Sequence, residues 1–144
     1  MLEKGIREKL IRYQLLENQA KSLIERRNFL LTKIMEIDLT LNSLEEVAKN
    51  KGEEIFLQLG SGINVRGGLN KSDRVLVELG ADIALECTSE KAKEILNQRK
   101  NVIENGLQRL EKDIVDMGNE LAVLEPEIRR LMEKSKSSSD LEAG

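Results

Sequence analysis

With 144 residues the chain is long enough for one domain, yet 2% aromatics, no Trp and 34% charged residues leave little bulk to fill a large globular core. The net charge of −3 comes from interleaved acids and bases, which argues against the one-sided basic excess of a nucleic-acid binder. With no histidine and a single cysteine, Cys87, a metal site, an internal disulfide and a histidine-assisted nucleophile are all disfavoured.

From Ile6 onward apolar residues recur at alternating spacings of three and four. With Ile6 as position a, the a series is Ile6, Tyr13, Ala20, Arg27, Ile34, Leu41 and Ala48. The d series is Leu2, Lys9, Leu16, Leu23, Leu30, Ile37 and Leu44. Only Lys9 and Arg27 break this stripe, and no proline interrupts it, so residues 1–51 are expected to form a coiled-coil helix. Arg27 reads most simply as a long side chain reaching out of the seam to Glu111 or Asp113, and less simply as a device that fixes register.

At Lys51-Gly52 the period changes. Ile55, Leu57 and Leu59 alternate with Glu54, Phe56 and Gln58; Val75, Val77 and Leu79 alternate with Arg74, Leu76 and Glu78. With Ile63/Val65 and Ile83/Leu85 these make four short strands, joined by turns at Gly60-Ser61-Gly62 and Gly80-Ala81-Asp82 and linked through Asn70-Lys71-Ser72-Asp73. Leu59-Gly60-Ser61-Gly62-Ile63-Asn64-Val65 is echoed by Leu79-Gly80-Ala81-Asp82-Ile83-Ala84-Leu85, so the insert, residues 52–87, reads as two hairpins of one design. Isolated hairpins are marginal in water, so their apolar faces and edges are expected to find partners through Ile63, Val65, Val75, Val77, Ile83 and Leu85. Gly60-Ser61-Gly62 leads into a strand rather than a helix and has no following Lys-Ser/Thr, so it reads as a turn and not a phosphate loop. Cys87, at a strand end, reads as a small semi-buried apolar residue.

The heptad returns over residues 88–134. Its a series is Lys100, Leu107, Ile114, Leu121 and Ile128, and its d series is Leu96, Ile103, Leu110, Met117, Leu124 and Leu131. Thr88 is the expected N-cap, with Glu90 in the first turn. An antiparallel register that sets Ile6 opposite Leu131, Tyr13 opposite Leu124, Leu23 opposite Ile114 and Ile34 opposite Ile103 faces every a with a d. Pro126 lacks an amide donor and crowds the carbonyl of Ala122, which predicts a kink near the free ends. There, Leu10, Ile11, Leu15 and Met132 exceed what a two-helix seam can cover, and they suggest a soft apolar surface. Residues 135–144, rich in serine, predict a disordered tail.

The expected fold is therefore α+β: a long antiparallel two-helix coiled coil with two β-hairpins between the helices. No residue set suggests catalysis, no cofactor is called for, and neither nucleic acid nor a membrane is expected as a partner. Met1-Leu2-Glu3-Lys4-Gly5 has no apolar signal core and no run reaches membrane-spanning length, so a cytoplasmic location is expected.

The arrangement resembles the alpha subunits of the prefoldin family, most simply the archaeal type. The most specific stretches are Glu54-Ile55-Phe56-Leu57-Gln58-Leu59-Gly60-Ser61-Gly62, Asp73-Arg74-Val75-Leu76-Val77-Glu78-Leu79-Gly80-Ala81 and Ala84-Leu85-Glu86-Cys87-Thr88-Ser89-Glu90, with Leu124-Glu125-Pro126-Glu127 near the free end. Asp82 stands where the family usually has a second glycine, and Gln58 where it often has a proline. Two hairpins rather than one match the alpha class. The resemblance implies a hexamer of two alpha and four beta subunits whose inserts form an oligomeric β-barrel platform. It also implies ATP-independent capture of unfolded polypeptides at coiled-coil tips and their transfer to a group II chaperonin. Leu2, Ile6, Leu10, Tyr13, Ile128, Leu131 and Met132 are the expected client contacts. The alternatives are a structural coiled-coil scaffold that holds no client and a helical RNA-binding arm, the latter disfavoured by the balanced charge.

Overall fold

The computed structural model describes residues 2–50, 52–70 and 73–143, with side chains as far as Ser137. Lys51 and two residues of the expected linker, Lys71 and Ser72, lie outside the described residues. The element order is α1 (Leu2–Lys49), β1 (Glu54–Gly60), β2 (Ile63–Gly68), β3 (Arg74–Gly80), β4 (Ile83–Thr88) and α2 (Ser89–Ala143). One element departs from expectation. Helix α2 runs on through the serine-rich stretch to Ala143 instead of giving way to a disordered tail at residue 135. Serine is a poor helix former but not a breaker, and with no Gly or Pro between Lys134 and Gly144 a long helix propagates through that stretch at small cost per residue. The same helix passes through Pro126 without interruption.

The chain divides into two units, one made of Met1–Leu31 with Asn105–Gly144 and the other of Thr32–Glu104. In the first, α1 and α2 run antiparallel, because Lys9 near the start of α1 donates to Glu127 far along α2 at 2.9 Å. Arg12 approaches Glu120 at 4.0 Å in the same sense. The first pair lies within one residue of the a-to-d register read from the heptads. In α1 every a and d residue from Ile6 to Leu30 is half-buried, and in α2 those from Leu107 to Leu131 are half-buried or buried. The most enclosed are Leu110, Leu124 and Ile128. A two-helix pair covers one stripe of each helix and no more, which is why α1 has no fully buried residue at all.

In the second unit the seam continues through Ile34, Ile37, Leu41 and Leu44 with Leu96, Lys100 and Ile103. Lys100 sits at an a position and donates to Asp38 Oδ1 at 2.7 Å. That hydrogen bond holds the ammonium above its ordinary value of 10.5, against the opposing pull of burial and helped by the charges of Asp38 and Glu104.

Helix α1 stops where Gly52 takes a φ of 86°. Gly52 and Leu69 then extend the base of the first hairpin, through Gly52 N–H to Leu69 C=O at 3.0 Å and Leu69 N–H to Glu53 C=O at 3.3 Å. The strands form two separate two-stranded antiparallel sheets, β1-β2 and β3-β4, rather than one four-stranded sheet. The two repeat each other closely. Gly60 pairs with Ile63 and Gly80 with Ile83, and each ladder shifts register at the residue before the turn. Both turns hold two consecutive residues at positive φ, Ser61 at 50° with Gly62 at 81°, and Ala81 at 50° with Asp82 at 61°. This is the type I′ geometry whose twist matches a hairpin. At β4 the chain re-enters helix: Ser89 N–H reaches Asp73 C=O at 3.0 Å, and Thr88 Oγ1 accepts from the N–H of Lys91 at 3.1 Å, the expected N-cap.

Two measurements check these local forces. Ala81 bears a side chain in the left-handed region, so Ala81→Asn combined with Asp82→Gly is expected to stabilise the second hairpin by about 1 kcal/mol. Amide exchange of β3 and β4 would read the change, and unchanged or faster exchange would contradict it. Because the fold raises the Lys100 value, the contribution of its ion pair is complete below pH 10.5 and is lost as pH climbs through the raised value. Lys100→Met should flatten that alkaline fall in the denaturation midpoint relative to the wild-type chain.

Candidate functional site: apolar surfaces on the hairpins and at the free helix ends

Each hairpin presents apolar side chains on both faces. Across β1-β2, Leu57 pairs with Val65 on one face and Phe56 pairs with Arg66 on the other. Across β3-β4, Val77 pairs with Leu85 and Val75 with Cys87 on one face, while Leu76 pairs with Glu86 on the other. Val75 and Val77 are half-buried and Cys87 is buried, whereas Ile63, Val65, Ile83 and Leu85 are exposed. The six expected assembly residues thus divide into two partly covered and four open.

The structure adds exposed apolar residues beyond those six. Phe56 is 66% exposed and Leu76 69% exposed, with Leu57, Leu59 and Leu79 also open. The signal for them was present, since Ile55-Phe56-Leu57 and Val75-Leu76-Val77 are uninterrupted apolar runs, the pattern of strands covered on both faces. Charged neighbours shield part of this surface in the single chain. Arg66 stands 5.6 Å from the centre of the Phe56 ring and 3.6 Å from Glu54, and Arg74 lies 3.9 Å from Glu86. The second hairpin is also tied to α2, through Arg99 Nη2 donating to the carbonyl of Glu78 at 2.9 Å.

At the free helix ends the predicted residues are sorted by depth. Ile6, Leu10 and Met132 line one open groove of about 510 Å³ together with Glu3, Arg7, Ser135 and Lys136. Leu2 and Met132 are exposed, and Tyr13 and Leu131 are half-buried at seam positions. Ile128 is different, for only 7% of it is exposed and it lies inside the seam. A second groove of about 590 Å³ runs beside it, floored by Leu16, Val123 and Leu124 and rimmed by Lys9, Arg12, Glu120 and Glu127. Ile11 and Leu15, on the outer side of α1, are each 58% exposed.

Cross-helix ion pairs do not stand out in the sequence until the register is applied. Lys9 and Lys100, at d and a, each find an acid on the flank of the opposite helix, Glu127 and Asp38. The register would have found both, since each acid lies one residue from the position directly opposite. Arg27 does not reach Glu111 or Asp113. Its Nε is buried without a hydrogen-bond partner, because the side chain stays in the seam that also encloses Leu110. Among the described residues no group of three or more Cys, Asp or Glu is placed to hold a metal ion, and no helix is long and apolar enough to cross a membrane.

The chain can be set beside proteins already known. A family model described as prefoldin subunit matches residues 16–134. The prefoldin subunit alpha of Methanosarcina barkeri is 29% identical over 139 residues, covering 94% of this chain and 96% of its own length. That of Methanosarcina acetivorans is 30% identical over 130 residues, covering 88% and 92%. Among solved structures, a filamentous prefoldin from Methanocaldococcus jannaschii, determined by cryo-electron microscopy, superposes with a TM-score of 0.69 at 20% identity. It covers 84% of this chain and 98% of its own, and so supports the two-helix, two-hairpin fold. The matched region takes in most of both helices and both hairpins, and the chain belongs to the prefoldin family of chaperones, with archaeal alpha subunits as relatives.

Proposed function

We propose that the chain is a subunit of an ATP-independent holdase: it joins an oligomer through its hairpins and captures non-native polypeptides at the free helix ends. The observation that carries this reading is the surplus of open apolar surface at those ends, where Ile6, Leu10 and Met132 share one groove and Ile11 and Leu15 lie bare beside it. Unfolded chains present varied apolar segments, and flexible Leu, Ile and Met side chains adapt to many of them. Several such ends on one particle gain affinity through multivalency, with no need for a fuel-driven cycle. Gly60-Ser61-Gly62, the one stretch that invited comparison with a nucleotide loop, is a hairpin turn, which fits a mechanism without ATP.

The partners proposed are prefoldin beta subunits in a hexamer of two alpha and four beta chains, with a group II chaperonin receiving the cargo. The hairpins support such an assembly, because Phe56, Leu59, Leu76 and Ile83 are too exposed to be left in water by a stable single chain. The filamentous character of the solved neighbour favours a second reading, in which the hairpins join copies of this same chain into a homopolymer. Native mass spectrometry of the chain alone and mixed with a beta-type subunit separates the two.

Suppression of aggregation of a denatured model protein by the assembled particle tests the capture step. Trimming α1 before Tyr13 and α2 after Leu124 is expected to abolish suppression while leaving the oligomer intact. Full suppression by the trimmed particle would reject the assignment to the free ends.

A further inference from the structure

The free end holds a contradiction that suggests a moving part. Leu124 and Ile128 are among the most enclosed apolar residues of the chain, at 8% and 7% exposure, yet they lie where client capture is proposed. Directly across the register from Ile128 stands Lys9, a lysine at a d position where the neighbouring d residues are Leu. Its ammonium donates to Glu127 at 2.9 Å, and both side chains keep substantial exposure, 39% and 45%. A leucine at this point would close the seam by permanent apolar burial. A half-exposed ion pair closes it by an attraction that water, salt or a competing chain can displace.

Other features weaken the same end. Pro126, beside Glu127, removes the amide that would bond to the carbonyl of Ala122, so α2 lacks one rung there. Gly5 costs α1 helical stability near its start. The only other ion pair between the helices in this unit among the described residues, Arg12 to Glu120, is long at 4.0 Å. The missing rung, the glycine and the partly exposed ion pairs thus fall at one end of the helix pair, beside the packed Leu124 and Ile128.

The geometry points to Lys9–Glu127 as a latch: the free end rests closed, and its release exposes Leu124 and Ile128 to an apolar segment of a non-native polypeptide. This rests on the capture reading given above and adds its control point. Opening competes with closure, so the strength of the latch sets how quickly a client is taken up.

The full-length chain in its native assembly supplies the test, with amide exchange across residues 122–131 and the rate of capture of guanidinium-denatured citrate synthase as two readouts. Glu127→Lys sets like charges together and should raise both rates about two- to fivefold, the range of a partly exposed ion pair. The charge swap Lys9→Glu with Glu127→Lys should return both to near the wild-type values. Lys9→Leu should lower both, and it decides the matter if the lysine variant loses helicity. Unchanged exchange in Glu127→Lys, no recovery in the swap, or wild-type capture by Lys9→Leu would each overturn the latch. If the wild-type assembly captures nothing, the holdase reading fails, and the exchange arm alone decides whether the latch exists.

Discussion

Everything in this molecule follows from a seam only one residue stripe wide. Two antiparallel helices with apolar a and d positions can shield that stripe from each other, and most residues along it are half-buried, with Leu110, Leu124 and Ile128 buried. Among the described residues the enclosed apolar side chains are few, Cys87, Ala92, Leu110, Leu124 and Ile128, and no large one is completely sealed as in a globular core. Stability along the helices is thus spread thinly over many similar layers. Each layer can be weakened locally without destroying its neighbours.

The same thinness leaves two kinds of surplus surface. Surface left over at the hairpins is regular, because β pairing places side chains in fixed rows. Leu57 meets Val65 and Val77 meets Leu85, giving two small, rigid and repeated apolar plates. Surface left over at the free helix ends is irregular, made of long flexible side chains such as Leu10 and Met132 around an open groove. Rigid plates suit defined partners and soft grooves suit varied ones, and the chain carries one of each kind.

How much of this the sequence shows depends on whether a property is local. The heptads identified the seam residue by residue, and from Ile6 to Leu44 and Leu96 to Leu131 each a and d position lies at half-burial or deeper. Turn chemistry was legible for the same reason, since Gly60-Ser61-Gly62 and Gly80-Ala81-Asp82 carry their own φ requirements. What escaped depends on partners distant in the chain. Glu127 and Asp38 look like ordinary flank carboxylates until the register sets them beside Lys9 and Lys100. Phe56 and Leu76 look solvent-facing if alternation alone is followed, because the sequence does not say whether a strand has cover on one side or two. The serines after Lys134 read as tail by composition, and they become helix because a propagating end costs far less than a new nucleus.

Two unconnected two-stranded sheets also have an arithmetic consequence. Each sheet of two strands has two edges with no neighbouring strand, so the described residues offer four strand edges, one of them partly engaged where Arg99 donates to the Glu78 carbonyl. An assembly built on them reaches a definite size only when every row is matched, as happens when a sheet curls into a ring. Where the matching is offset it leaves a free row at each extremity, and the assembly keeps adding subunits. Whether such a particle is finite or endless is then a question of strand bookkeeping at the hairpins, and the long helices have no vote in it.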